Sequence, residues 1–205
     1  MNRTHSTLSP SYRPRTVAAS FATCLSLAIP LAACTTTPAD NPRAVAELKP
    51  ASGSSARGTA WFTQEDDHVV VHIQASGLAP SREHGFHVHE KGDCSSPDAS
   101  SAGAHFNPTD MPHGPPGSEH HAGDLPSLKA DAAGKVSTTF DVKGVLLGTG
   151  ATDLMGKALV IHADPDDYAT QPAGNSGKRV ACGVIASPAR PSGIGAPAKT
   201  IPKQM

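Results

Sequence analysis

The chain has 205 residues, of which 38% are hydrophobic, 4% aromatic and 17% charged, with nineteen glycines and nineteen prolines. Gly and Pro cost about 1 and 3 kcal/mol inside a helix, so this many of them exclude a long-helix bundle and favour one turn-rich β domain with extensions at its ends. Seventeen basic against eighteen acidic side chains give a formal charge of -1, so no basic face and no nucleic-acid partner is expected.

Residues 1–33 read as a signal peptide. Arg3, Arg13 and Arg15 precede an apolar run over 17–33, no acid occurs before Asp40, and the run, broken by Pro30, is short for a spanning helix. It ends in Leu31, Ala32, Ala33 and Cys34, which resembles the bacterial lipobox, where the cysteine thiol receives a diacylglyceryl group and becomes the first mature residue. An ordinary small-residue cleavage site beside a chance cysteine is the alternative. Lipid on Cys34 would make a membrane the partner of an N-terminal anchor. The leader implies an exported protein on the periplasmic side of a bacterial membrane, and Thr35 rather than Asp after Cys34 points to the outer membrane if the cell has one. Without the three leader arginines the balance is 14 basic against 18 acidic groups, or -4. Of the four cysteines, Cys24 leaves with the leader and Cys34 is lipidated, so Cys94 and Cys182 are expected to form one disulfide in an oxidising compartment.

Residues 34–43 read as the lipidated cysteine and a flexible tether. A folded domain over 44–187 follows, then a disordered tail over 188–205, rich in Pro, Gly, Ala and Lys and without an aromatic. Within the domain, β-like runs bounded by turn residues fall at 44–48, 57–64, 68–75, 85–89, 135–142, 157–163 and 179–186, which predicts an antiparallel β-sandwich or barrel. Two stretches, 92–128 and 164–178, have no strand pattern, and loops that long inside a compact domain usually carry function.

The chemistry sits in and beside those loops. Eleven histidines outnumber the lysines, and nine of them fall between His68 and His121. His87 and His89 are two apart in a strand pattern, so both imidazoles leave one face and can meet one metal ion. His105, His113 and His121 then recur at even spacing, with Asp124 three residues further on. Three imidazoles and one carboxylate suit a closed, tetrahedral zinc ion that would pin the loop. His162 ends an apolar run, where a strand can bring its ring to the mouth of the sheet.

Five stretches resemble the copper, zinc superoxide dismutase family in its exported bacterial form, over roughly 45–185. They are Gly85-Phe86-His87-Val88-His89-Glu90, Gly92-Asp93-Cys94, Ser101-Ala102-Gly103-Ala104-His105-Phe106-Asn107-Pro108, His121-Ala122-Gly123-Asp124-Leu125 and Arg179-Val180-Ala181-Cys182-Gly183-Val184-Ile185. The resemblance implies an all-β, eight-stranded Greek-key β-sandwich with two long functional loops, and superoxide as substrate. It also implies a copper ion on His87, His89, His105 and His162 and a zinc ion on His105, His113, His121 and Asp124. Two four-coordinate ions need eight ligand places and these motifs supply seven side chains, so His105 is expected to bridge, unless water fills the eighth place.

By the same resemblance, Asp166 links a copper and a zinc histidine by accepting a hydrogen bond from each. Arg179 stands at the copper mouth as a catalytic partner of His105, and His84 bonds the backbone. His120 adjoins His121, and only the spacing to Gly123-Asp124 selects the second as ligand; His68 and His72 read as surface or structural. Loop lengths around Met111, Pro112 and 114–117 depart from the family, so a homodimer is possible but its contacts do not carry over. An exported metal store is the alternative class; it needs neither Arg179 nor an open copper face. A zinc hydrolase is the more distant rival, and it would need an open zinc and a general base.

Overall fold

Alternation along the strands builds the core. In β3 (His68–Ser76), Val69, Val71, Ile73 and Ala75 are buried while Val70, His72 and Gln74 turn outward, because successive side chains on a strand face opposite sides. β1 (Arg43–Pro50) contributes Ala44, Ala46 and Leu48 to the same core, β2 (Arg57–Gln64) contributes Ala60 and Phe62, and β7 (Val136–Lys143) contributes Val136 and Val142. The computed structural model describes residues 43–188. The expected signal peptide, Cys34, the expected tether as far as residue 42 and the expected tail from 189 onward lie outside the described residues.

The remaining strands are β4 (Glu83–His84), β5 (Phe86–His89), β6 (Leu128–Lys129), β8 (Ala158–His162) and β9 (Arg179–Val184). Of the nine strands among the described residues, seven form one antiparallel sheet in the order β5-β8-β9-β1-β2-β3-β7. Only Gly85 separates β4 from β5 at one edge, and a turn through Asp131 leads from β6 to β7 at the other, so the antiparallel β4–β6 pair joins the two edges. The curled sheet is thereby tied across its two edges by a short ladder, as in a barrel. Counting β4 and β5 as one kinked strand gives the expected eight. Gly85 is required at the kink, since a Cβ there would stand 2.5 Å from Ser176 Oγ.

All seven expected strands form, with ends that shift by one or two residues. β1 starts at Arg43, inside the expected tether, because its first residue pairs with Thr63 of β2. The two-residue strands β4 and β6 were not foreseen. Among the described residues there is no α-helix, only a 3-10 turn at Ser100–Ala102.

β5 and β8 differ from the meander in being buried on both faces. Phe86, Val88, Leu159 and Ile161 enter the main core. On the opposite face, Ala158 and Val160 pack with Ala51, Ala99, Ala102 and Cys182 beneath the loop that follows β5. A disulfide between Cys94 and Cys182 ties that loop to β9. Its partners are 88 residues apart in sequence, a closure worth about 4 to 5 kcal/mol on the chain-entropy estimate.

Candidate metal centre

With Phe86 and Val88 committed to the core, His87 and His89 must leave β5 on the other face. Pairing of Phe86 with Ile161 puts β8 alongside, and the His162 N–H donates to the Gly85 carbonyl at 2.8 Å, so the last residue of β8 delivers its ring to the same spot. His105 arrives from the loop, whose Phe106 N–H donates to the Val88 carbonyl at 2.8 Å. Ring centroids of His87 and His105 are 4.0 Å apart, and those of His87 and His162 4.8 Å. One ligating atom from each of His87, His89, His105 and His162 lies within 4.8 Å of the others.

A second set, His105, His113, His121 and Asp124, meets the same limit and shares His105 with the first. A turn in which the Asp124 N–H donates to the His121 carbonyl holds two of its members. Asp124 Oδ1 lies 2.9 Å from His105 Nδ1 and 3.2 Å from His121 Nδ1, and its Oδ2 lies 3.0 Å from His113 Nδ1. Backbone N–H groups of His121 and Gly114 donate to the same Oδ2 at 3.1 and 3.2 Å, which fixes the carboxylate.

Hydrogen bonds around the rim decide which ring nitrogen faces inward. His87 donates from Nε2 to Asp166 Oδ2 at 2.7 Å, leaving Nδ1 bare, and His113 donates from Nε2 to Asp166 Oδ1 at 2.9 Å, leaving its own Nδ1. His89 and His162 donate from Nδ1 to the carbonyls of Gly103 (2.9 Å) and Gly177 (3.3 Å), so each presents Nε2. Acceptors without protons thus select the tautomers, the usual way a protein orients ligand imidazoles. Gly174 is required here, since at its φ of 62° a Cβ would overlap Asp166 Oδ1 and His113 Nε2.

His87 Nδ1, His105 Nε2 and His113 Nδ1 are buried and have no hydrogen-bond partner. Bare nitrogens of this kind are costly in an interior, and cations that accept their lone pairs remove the cost. Six imidazoles and one carboxylate, one imidazole common to both sets, fit the nitrogen and oxygen preferences of copper and zinc.

Electrostatics keep the rings ready. Burial pushes His87 down to about 4 and His89 to about 3, with His105 adding to both, and burial also holds His162 well below its ordinary 6.5. Burial lowers His121 as well. At neutral pH these rings are uncharged and can donate lone pairs. Burial opposes ionisation of Asp124, yet the hydrogen bond from His105 and the fields of the three zinc-set imidazoles hold its carboxyl far below the usual range. Asp166 is lowered too, against the effect of burial, by hydrogen bonds from His87, the Tyr168 N–H and His113.

The first set opens onto a cleft of about 520 Å³, lined by His89, His105, His162, Arg179 and the 170–177 segment. Arg179 is half-buried, and it donates from Nη1 to the Ala99 carbonyl and from Nη2 to the Gly103 carbonyl, both at 2.7 Å. Burial lowers its pKa below the ordinary arginine value, but a guanidinium keeps its proton at any working pH. Every side chain singled out for the site in the described residues therefore stands in or beside it. His120 turns away and donates from Nδ1 to the His121 carbonyl, and His84 donates from Nδ1 to the His162 carbonyl. His72 stacks on the exposed Trp61, and His68 bonds Asp67. Sequence reasoning missed Gln171, Gly174 and Tyr168; the last donates from its hydroxyl to Ser127 Oγ at 2.9 Å and so ties the 163–178 loop to the strand region before β6.

Residues 56–185 match the family model described as copper/zinc superoxide dismutase (SODC). The chain is similar to "Superoxide dismutase [Cu-Zn] 1" of Aquifex aeolicus (strain VF5), at 44% identity over 135 residues, which is 62% of this chain and 79% of that one. It is also similar to "Superoxide dismutase-like protein YojM" of Bacillus subtilis (strain 168), at 44% identity over 128 residues, 59% of this chain and 64% of that one. Among solved structures, a SOD-like protein from Bacillus subtilis superposes with a TM-score of 0.63 at 38% identity, over 68% of this chain and 96% of that one.

Proposed function

The chain belongs to the copper/zinc superoxide dismutase family, and on that premise we propose that its two side-chain sets act as one centre with His105 as the shared ligand. It is a superoxide dismutase, an oxidoreductase whose ions are copper and zinc. His87 Nδ1, His89 Nε2, His105 Nε2 and His162 Nε2 hold copper in this reading, and His105, His113 and His121 through Nδ1, with Asp124, hold zinc. The observation that carries it is the convergence of buried nitrogens without hydrogen bonds, from His87, His105 and His113, on the two sets that share His105.

Copper, when bound, supplies the one-electron chemistry that takes an electron from one superoxide and gives it to the next, yielding dioxygen and then hydrogen peroxide. The residues do the rest. His105 would serve both sets when its two nitrogens are free of protons; when its Nε2 instead takes a proton from solvent, that proton lies at the cleft and supplies one of the two that hydrogen peroxide needs, the second coming from water. Asp124, 2.9 Å from His105 Nδ1, would help to hold that side of the ring in place meanwhile, together with the zinc set to which both belong. Asp166 orients His87 and His113 together. Arg179, pinned by two carbonyls, presents a fixed positive charge to an anionic substrate, and a pre-set charge needs no reorganisation as substrate arrives. A metal store has no use for that guanidinium. Superoxide consumption by metal-loaded protein, set against the demetallated protein, tests the reading: loss of activity on demetallation and recovery on reloading supports it, and equal rates refute it.

Export and anchoring belong to the same proposal. The basic leader, the apolar run and Cys34 support a lipoprotein on the periplasmic side of a bacterial membrane, and a Cys94–Cys182 disulfide suits that oxidising compartment. Cys34→Ser should leave the protein unprocessed or soluble with its activity intact. A mature-size band of that variant in detergent-extracted membranes would contradict the lipid anchor.

A further inference from the structure

Most of the metal-set residues sit on strands or tight turns, or are laid against β5 by backbone bonds, but His113 does not. It lies in a segment without strand structure, between Pro112 and Pro115, and it is 3% exposed. Among the described residues, its backbone groups find one hydrogen-bonding partner, the side chain of Gln171. The His113 N–H donates to Gln171 Oε1 at 2.8 Å, and Gln171 Nε2 donates to the His113 carbonyl at 2.9 Å. A single amide thus pairs with both main-chain groups of one residue, as a neighbouring strand would.

The loop that carries Gln171 is braced from within. Asp167 accepts from the N–H groups of Ala169 and Thr170 at 2.9 and 2.8 Å, and its other oxygen accepts from Thr170 Oγ1 at 2.7 Å and Asn175 Nδ2 at 3.2 Å. The Gly174 N–H donates to the Thr170 carbonyl at 2.7 Å. Asp166 at the start of this loop holds the His113 ring, and Gln171 holds its main chain. Only His113 Nδ1 is left open, and it faces Asp124.

We propose that Gln171 is a positioning residue for zinc: its carboxamide stands in for a β-ladder partner, fixes the His113 backbone, and makes zinc retention depend on the loop that walls the copper cleft. The proposal rests on the assignment of His113 to zinc. Gln171 is itself exposed, so its removal disturbs no core packing. Residues that orient a ligand in this indirect way cost about ten- to hundredfold in metal affinity when they are lost.

The test is a zinc titration of the full chain, demetallated, against a chromophoric chelator, for the parent, Gln171→Ala, Gln171→Glu and His113→Ala. Gln171→Ala should bind zinc about ten- to hundredfold more weakly. Gln171→Glu should fall between it and the parent, because it keeps the acceptor for the His113 N–H and loses the donor to the carbonyl. Cobalt(II) placed in the zinc set should show an altered visible spectrum in Gln171→Ala, while the affinity for copper alone stays within about twofold. If His113→Ala weakens zinc and Gln171→Ala does not, the positioning role is overturned and the ligand assignment stands. If His113→Ala leaves zinc unchanged, both fall. Equal loss of copper and zinc in Gln171→Ala would also overturn it, since that is the signature of a general loss of stability.

Discussion

His87 and His113, one from each metal set, donate their Nε2 protons to the two oxygens of a single carboxylate, Asp166, at 2.7 and 2.9 Å. The two sets therefore share an outer acceptor as well as an inner imidazole. Asp166→Ala should lower the affinity for zinc by about ten- to hundredfold and loosen copper as well, because both rings lose the partner that fixes their tautomer. Metal analysis after dialysis against a weak chelator reads this directly. Retention of both ions at parental levels would show that the Asp166 bonds do not orient ligands.

Among the described residues Arg179 is the cation lining the cleft, and the chain, with a formal charge of -1, has no net positive charge to draw in an anion. A unit charge near an anion is worth about 1 kcal/mol in bulk-like solvent and up to about 4 kcal/mol in a partly screened cleft, so Arg179→Ala should slow superoxide consumption about tenfold or more. Arg179→Glu should be slower still, and both should keep their copper. Added salt should slow the parent through screening and slow the Glu variant less or speed it. Identical rates and salt slopes in all three would reduce Arg179 to a structural tie for the Ala99 and Gly103 carbonyls.

Acid should unfold the metal-free protein through its buried histidines. Folded-state values of about 4 for His87 and about 3 for His89 lie below the ordinary 6.5, so between those limits the unfolded chain binds protons that the fold does not. Stability is then full above about pH 6.5, falls as pH drops below it, and stops falling on account of each ring only near its folded value. At pH 5 the loss is roughly 2 kcal/mol per ring. Asp166, lowered in the fold, adds a loss of the same sign at lower pH. Urea unfolding of demetallated protein at pH 7.5 and pH 5 should show a clearly lower midpoint at pH 5; an unchanged or higher one would contradict the depressed values.

The meander and the ligand strands were legible because their physics is periodic. Val69, Val71 and Ile73 announce a buried face, and His87 and His89, set two apart, announce a shared one. β4 and β6 were not legible, since two residues carry no period and their pairing is set by where the edges of the sheet meet. The parts of the site that rest on side-chain type were visible as well, from His105 to Asp124. Those that rest on main-chain atoms were not. Nothing in the letters Ala99, Gly103 and Gly177 says that their carbonyls anchor Arg179 and turn His89 and His162, because every residue has a carbonyl and only the fold aims it. Gln171 escaped for a related reason, as an exposed glutamine in a loop looks like any solvated side chain until its partner, a backbone segment far away in sequence, is in view.

The shared position of His105 is the central claim, and magnetic coupling measures it most directly. Protein loaded with copper(II) in both sets should lose most of its electron paramagnetic resonance intensity relative to total copper, because an imidazolate between two copper(II) ions couples their unpaired spins antiferromagnetically. Protein with copper(II) in the first set and zinc in the second should keep full intensity. If the doubly loaded protein showed the full signal of two independent copper ions, His105 would not join the two sites, and neither its bridging role nor its delivery of a proton to the cleft would stand.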